Sequence, residues 1–303
     1  MSEVTCLFIV LTRILISAHG IAGSQTYDGN QANLMTVSSK ANESASLPVD
    51  PFLYVTMDTS VKAQQSNDKD PTHVDPGAPY IFIAGYDVNS SESYYGIQAA
   101  TDVYDLSLKK NQHSGTMISI IRVKDETPQR KINAVHVGWH NDDYKTGCYN
   151  LECPGYVPED GTSLVPGIAI NSVSKPGGTK HIVVFKIFKD GIGDWLLHCG
   201  FDSEPYLIGR FPASLFTTLT DKADEVALNG YTVTPRAHLA PMGSGYLSES
   251  ANAASFSNIQ LIDQHGQPSR VQQNLPAVMT YPAIYSVSPI SADGTFTYGG
   301  TSE

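Results

Sequence analysis

Short apolar runs alternate with polar turns from Tyr80 onward, recurring about every 8 to 12 residues. That rhythm predicts an all-β, antiparallel sandwich of two sheets. The predicted strands are Tyr80–Ala84, Tyr94–Tyr104, Gly115–Val123, Ile132–Trp139, Ser163–Ile170, His181–Lys189, Trp195–Phe201, Tyr206–Arg210, Tyr231–Thr234 and Phe256–Ile262. Gly177-Gly178 and Asp190-Gly191 are hairpin signals between them, because such pairs accept the backbone angles of tight turns. One stretch has a different period. Phe211, Leu215, Phe216 and Leu219 share a helical face, with Pro212 placed for a first turn, so one short helix is expected at 211–219.

Outside the strand-rich region the texture changes. Residues 24–75 are polar and irregular, and Lys62 to Pro76 has the composition of a linker. The tail from Gln264 carries Pro268, Pro276, Pro282 and Pro289 and few strand signals, so 266–303 is expected to be an extension. An apolar run from Cys6 to Ile16, broken by Thr12 and Arg13, precedes the small residues Ala18, Gly20, Ala22 and Gly23. It reads as a secretion signal over 1–23, against the alternative of an apolar N-terminal strand or helix. It is shorter than the roughly 20 residues of a membrane-spanning helix. The expected organisation is a signal at 1–23, a polar proregion or linker at 24–75, a sandwich at 76–265 and an extension at 266–303.

Composition narrows the function classes. Hydrophobic residues make up 41% of the 303 residues, enough for a sizeable core, and only 16% are charged. The net charge is −11, a poor match for phosphate backbones, so a nucleic-acid partner is not expected. Twenty-five Gly and 16 Tyr fit strands and turns better than helical bundles.

Candidate chemistry is sparse. No phosphate loop is present, and Met242-Gly243-Ser244-Gly245 lacks both the Lys of a P-loop and the spacing of a nucleophile elbow. His136 and His140 stand i, i+4 on a strand and share a face, so both could reach one metal ion. No third ligand is placed by spacing, and no metal or cofactor is expected. Asp202, Glu204 and Glu225 are carboxylates near turns that could supply an acid and a base. Cys148 and Cys153 could close a small loop, remain thiols or form half of a metal site, while Cys199 fits a buried small side chain. Asn42 and Asn89 begin glycosylation sequons, in keeping with a secreted, extracellular protein.

The Cys148 loop completes a recognisable pattern. Thr146-Gly147-Cys148-Tyr149-Asn150-Leu151-Glu152-Cys153-Pro154-Gly155-Tyr156-Val157 resembles the cysteine loop of the neprosin family. These are plant proteins whose founding members are secreted glutamic endopeptidases that cleave after proline. Tyr94-Tyr95-Gly96-Ile97-Gln98-Ala99, Trp195-Leu196-Leu197, the Ile208–Phe216 run and Pro241-Met242-Gly243-Ser244-Gly245-Tyr246 resemble further family motifs in the family's order. The resemblance covers about 79–263. It implies a two-sheet sandwich, a Cys148–Cys153 disulfide, a proregion and an extended or Pro-rich peptide as partner.

The departures bear on activity. A glutamic peptidase sets two carboxyl groups against one scissile bond. At the positions that resemble the family's glutamates, this chain has His136 and Tyr231, with Glu204 as a stand-in acid. Only His140 to Asp143 separate Trp139 from Tyr144, where the family carries a further strand, so a sheet edge would need covering. The family's C-terminal cysteine pair is also absent. Two functions follow: a working endopeptidase, or a catalytically inactive extracellular module that binds peptide or cell wall. A sugar-binding sandwich is a third, without a specific motif.

Overall fold

A computed structural model describes residues 3–12, 16–17, 79–110, 112–126, 129–142 and 155–301. Among these the chain is all-β, in two antiparallel sheets. The seven-stranded sheet runs β1 (Glu3–Thr12), β6 (Gln129–Asp142), β5 (His113–Glu126), β11 (Ala223–Pro235), β3 (Pro79–Tyr94), β15 (Ala277–Met279), with β2 (Ile16–Ser17) beside β6. The ten-stranded sheet runs β12 (Met242–Gly243), β17 (Phe296–Gly300), β13 (Ala254–Ile262), β4 (Gly96–Asp102), β8 (Ile182–Lys189), β9 (Trp195–Phe201), β10 (Tyr206–Phe211), β7 (Val157–Pro158). Strand β14 (Pro268–Arg270) adds to β13, and β16 (Ser286–Val287) adds to β17.

Alternation explains how the sheets pack. Side chains on a strand point to opposite faces in turn. Phe82, Ala84, Tyr86 and Val88 of β3, Ile118 and Ile120 of β5, Val135, Val137 and Trp139 of β6, and Val226 and Leu228 of β11 enter one core. Ile97 and Ala99 of β4, Val183, Phe185 and Ile187 of β8, and Trp195, Leu197 and Cys199 of β9 meet them from the other sheet. The sheets approach so closely at Gly230 that an added Cβ would stand 2.4 Å from the Tyr298 ring. The residues between these positions on the seven-stranded sheet face away from the core, and that outer face carries the site described below.

Several expectations change. The predicted helix at 211–219 is a three-residue 3-10 turn, Ala213–Leu215, after which Phe216 is extended. Phe211 already ends β10, so helical spacing there reflects burial of Phe211, Phe216 and Leu219 from a turning loop. The predicted strand Ser163–Ile170 is a loop, because Pro166 removes a ladder donor and Gly167 sits at φ 89°. The tail after 265 is not a loosely attached extension. It supplies β14 to β17, and Tyr285, Phe296 and Tyr298 are fully buried.

The apolar N-terminal run, read as a signal, contributes β1 here. It pairs antiparallel with β6 from Glu3↔Asp142 to Thr12↔Asn133, along the edge expected to need covering. Residues 24–75, Asn42, Cys148 and Cys153 lie outside the described residues. No helix among the described residues is long and apolar enough to cross a membrane.

Candidate functional site on the outer sheet face

Register assembles the outer face. Across β6, β5, β11 and β3, one transverse row reads His136, Ser119, Ala227, Asp87. All four have the parity opposite to the core residues beside them, so they share the face that points away from the other sheet. Glu225 and Asn229 flank Ala227 along β11 on the same face. Tyr231 follows, opposite Gly115 of β5 and Ile83 of β3. Behind Glu225, a small apolar group of Ile121, Ile132 and Ala134 lies on this face.

His136 is buried, and burial lowers its pKa to about 3, so the imidazole is neutral at ordinary pH. A 2.7 Å hydrogen bond joins Ser119 Oγ and His136 Nδ1. His136 Nε2 is buried with no hydrogen-bond partner among the described residues. Asn229 donates from Nδ2 to Asp87 Oδ1 at 3.0 Å, while its own Oδ1 is buried and likewise unmet. Burial pushes the Asp87 carboxyl above its usual range, and the bond from Asn229 opposes this shift only in part. Glu225 and Tyr231 are buried on the same face.

The structure places the sequence-predicted residues unevenly. His136 and Tyr231 share the face, but two strands and four residues separate them. In flat-sheet spacing that is about 10 Å across and about 13 Å along the strands. Glu204 does not join them. It is exposed in the turn between β9 and β10 of the other sheet, so a stand-in acid at this face is ruled out for it. Asp202, beside it, accepts hydrogen bonds from His181 Nδ1 at 2.6 Å and Ile182 N at 2.8 Å. Burial alone would raise its carboxyl pKa, but the bonds from His181 and Ile182 and the charge of His181 together outweigh that and hold it below the usual range. Asn89 lies in β3 opposite Glu225. No group of three His, Cys, Asp or Glu residues able to hold a metal is found among the described residues.

No sequence motif marks Asp87, Ser119 or Asn229. A signal for Asp87 exists, since the alternation of Phe82, Ala84, Tyr86 and Val88 extends the first predicted strand and puts Asp87 on its other face. Glu225 was seen as a carboxylate near a turn, yet β11 begins at Ala223 and holds it in a ladder.

The fold is an antiparallel β-sandwich of two sheets. The Neprosin family model matches residues 106–301, and the chain belongs to that family. Among solved structures, the chain is similar to Scytalido-glutamic peptidase, determined with a peptide-based transition-state analogue. The identity is 8% and the TM-score 0.39, covering 74% of this chain and 100% of that one. It is also similar to SCP-B, a member of the Eqolisin family of peptidases, determined with the tripeptide Ala-Ile-His. There the identity is 10% and the TM-score 0.38, with the same coverage of 74% and 100%.

Proposed function

We propose that this chain is a peptide-binding member of the neprosin family that holds an extended peptide on the outer face of the seven-stranded sheet, without the family's glutamic chemistry. One observation carries the reading. His136 Nε2 and Asn229 Oδ1 are buried on one face with no hydrogen-bond partner among the described residues. Buried polar atoms are nearly always hydrogen-bonded, and a bound backbone offers both N–H and C=O groups to such atoms. Family membership supports a Pro-containing peptide and a secreted protein.

Loss of cleavage follows from the residues at the family's acid positions. A neutral His136 carries no carboxyl proton to give. A phenol has an ordinary pKa near 10, so Tyr231 can donate a hydrogen bond but is a weak base toward water.

The test is fluorescence anisotropy of the full chain with labelled extended peptides containing proline, followed by mass spectrometry of the same peptides after incubation from pH 3 to 7. Saturable binding, weakened about tenfold by Asn229→Ala, is expected with the peptides intact. Absence of binding overturns the reading. Cleavage that disappears in Glu225→Gln overturns its non-catalytic part.

A further inference from the structure

We infer that the outer face contains a subsite at Asp87 and Asn229 that recognises a primary ammonium group, the ε-amine of a lysine in the bound peptide. The inference rests on the peptide-binding reading above and adds a ligand chemistry to it.

The argument begins with charge. The Asp87 side chain accepts a hydrogen bond from a neutral amide, that of Asn229, and no ion pair to Asp87 is found among the described residues. A carboxylate removed from water without a cation is costly, and a cation delivered to it recovers much of that cost. Glu225 adds a second carboxyl group of the same sign. Ala227 pairs with Asp87 and Glu225 with Asn89, so Glu225 is the diagonal neighbour of Asp87. Diagonal pairs stand about 7–8 Å apart at Cα, within reach of long side chains.

The hydrogen-bonding roles point the same way. Asn229 donates from Nδ2 to Asp87 and leaves its acceptor, Oδ1, buried and unmet among the described residues. That oxygen occupies the space over Gly85, where an added Cβ would come within 2.4 Å of it. The atoms left open at this spot, the Asp87 carboxylate and Asn229 Oδ1, are acceptors. Lysine is the complement, with three donors, no acceptor and a compact charge. A carboxylate or phosphate would meet like charge. The net charge of −11 favours approach of a basic peptide over an acidic one.

The experiment uses the full chain and three sets of octapeptides blocked at the N-terminus by fluorescein. One set carries a single lysine, the second Nε-acetyl-lysine at the same position, and the third norleucine. The lysine peptides are expected to bind about tenfold more tightly than both others, with the preference reduced to within twofold in Asp87→Asn. Asn229→Ala, which leaves the charge in place, should reduce the preference by a smaller factor. Thermal melts identify a variant that fails to fold, and the wild-type comparison of lysine with acetyl-lysine stands without any variant. Equal binding of lysine and acetyl-lysine overturns the subsite and leaves peptide binding intact. A preference that survives in folded Asp87→Asn also overturns it. Failure of all three sets to bind overturns both readings.

Discussion

Ser119 Oγ and His136 Nδ1 meet at 2.7 Å on neighbouring strands, both shielded from water. The contact fixes one nitrogen of a ring whose other nitrogen has no hydrogen-bond partner among the described residues, so protonation puts a charge where none of them compensates it. This makes acid a specific threat to the fold.

The sign follows from linkage. Unfolded His136 takes up a proton near 6.5, whereas the folded ring resists until about 3. The unfolded state therefore binds more protons between these values. Stability is full above about pH 6.5 and falls as pH drops toward 3, by up to about 5 kcal/mol for 3.5 pH units. His198, lowered to about 4 by burial and then by Lys186, acts in the same direction. Asp87 acts in the opposite one. Its raised pKa contributes stability at low pH that is lost as pH rises through its folded value. Urea midpoints measured from pH 7 to 4 should fall steeply in the wild type and less steeply in His136→Asn. Parallel curves would disprove the assignment to His136.

The sequence is most legible where burial alternates. Trp195–Phe201 was predicted residue for residue, because Trp195, Leu197 and Cys199 face the core while Leu196 and His198 do not. In the sequence, strand β11 is legible only from Tyr231, since Glu225 and Asn229 interrupt its outer face with polar groups that a lone strand would not bury. Those polar groups belong to the candidate site, so the site itself hid the strand. The convergence of Asp87 with Asn229 was invisible for another reason. It depends on pairing across 142 residues of sequence, which local pattern does not encode.

Asn133 ties β6 to the loop after the 3-10 turn. Its Oδ1 accepts from Thr217 N at 2.7 Å, Thr218 N at 2.6 Å and Thr218 Oγ1 at 3.0 Å, and the side chain is fully buried. Asn133→Ala leaves those donors, of which the two on Thr218 are buried, without this acceptor. The expected loss is about 2–4 kcal/mol in urea denaturation. Asn133→Asp, which keeps the acceptors, should cost less than Asn133→Ala at neutral pH. The reverse order would mean that packing, not acceptance, is what Asn133 contributes.

The tail is tested by truncation. Strand β17 lies between β12 and β13, and Phe296 stacks on Phe256 with ring centroids 5.1 Å apart. Tyr86 meets the same Phe296 edge-on at 4.9 Å, linking the two sheets. Removing everything after Asp263 deletes these rings and bares an edge of β13. The truncated chain should lose its cooperative melt and aggregate, whereas removal of residues 302–303 alone should change neither. A truncated protein that melts cooperatively near the wild-type temperature would show that the tail is dispensable.

Gly230 and Tyr298 set the spacing between the sheets at the end nearest Tyr231. An added Cβ at Gly230 would lie 2.4 Å from both Cδ2 and Cε2 of Tyr298, and 3.1 Å from Met242 Sδ. The Tyr298 ring is fully buried and flanked by Phe256 at 5.2 Å, so it cannot swing aside without disturbing the core. Gly230→Ala should therefore cost about 1–3 kcal/mol by overpacking, although alanine is otherwise the less flexible residue. Tyr298→Leu makes room at the same spot but leaves a gap of its own. In a double-mutant cycle read by urea denaturation, the two changes should be less harmful together than the sum of each alone, with a coupling of about 1 kcal/mol or more. Strict additivity would mean that the contact at Gly230 is not what limits the approach of the sheets.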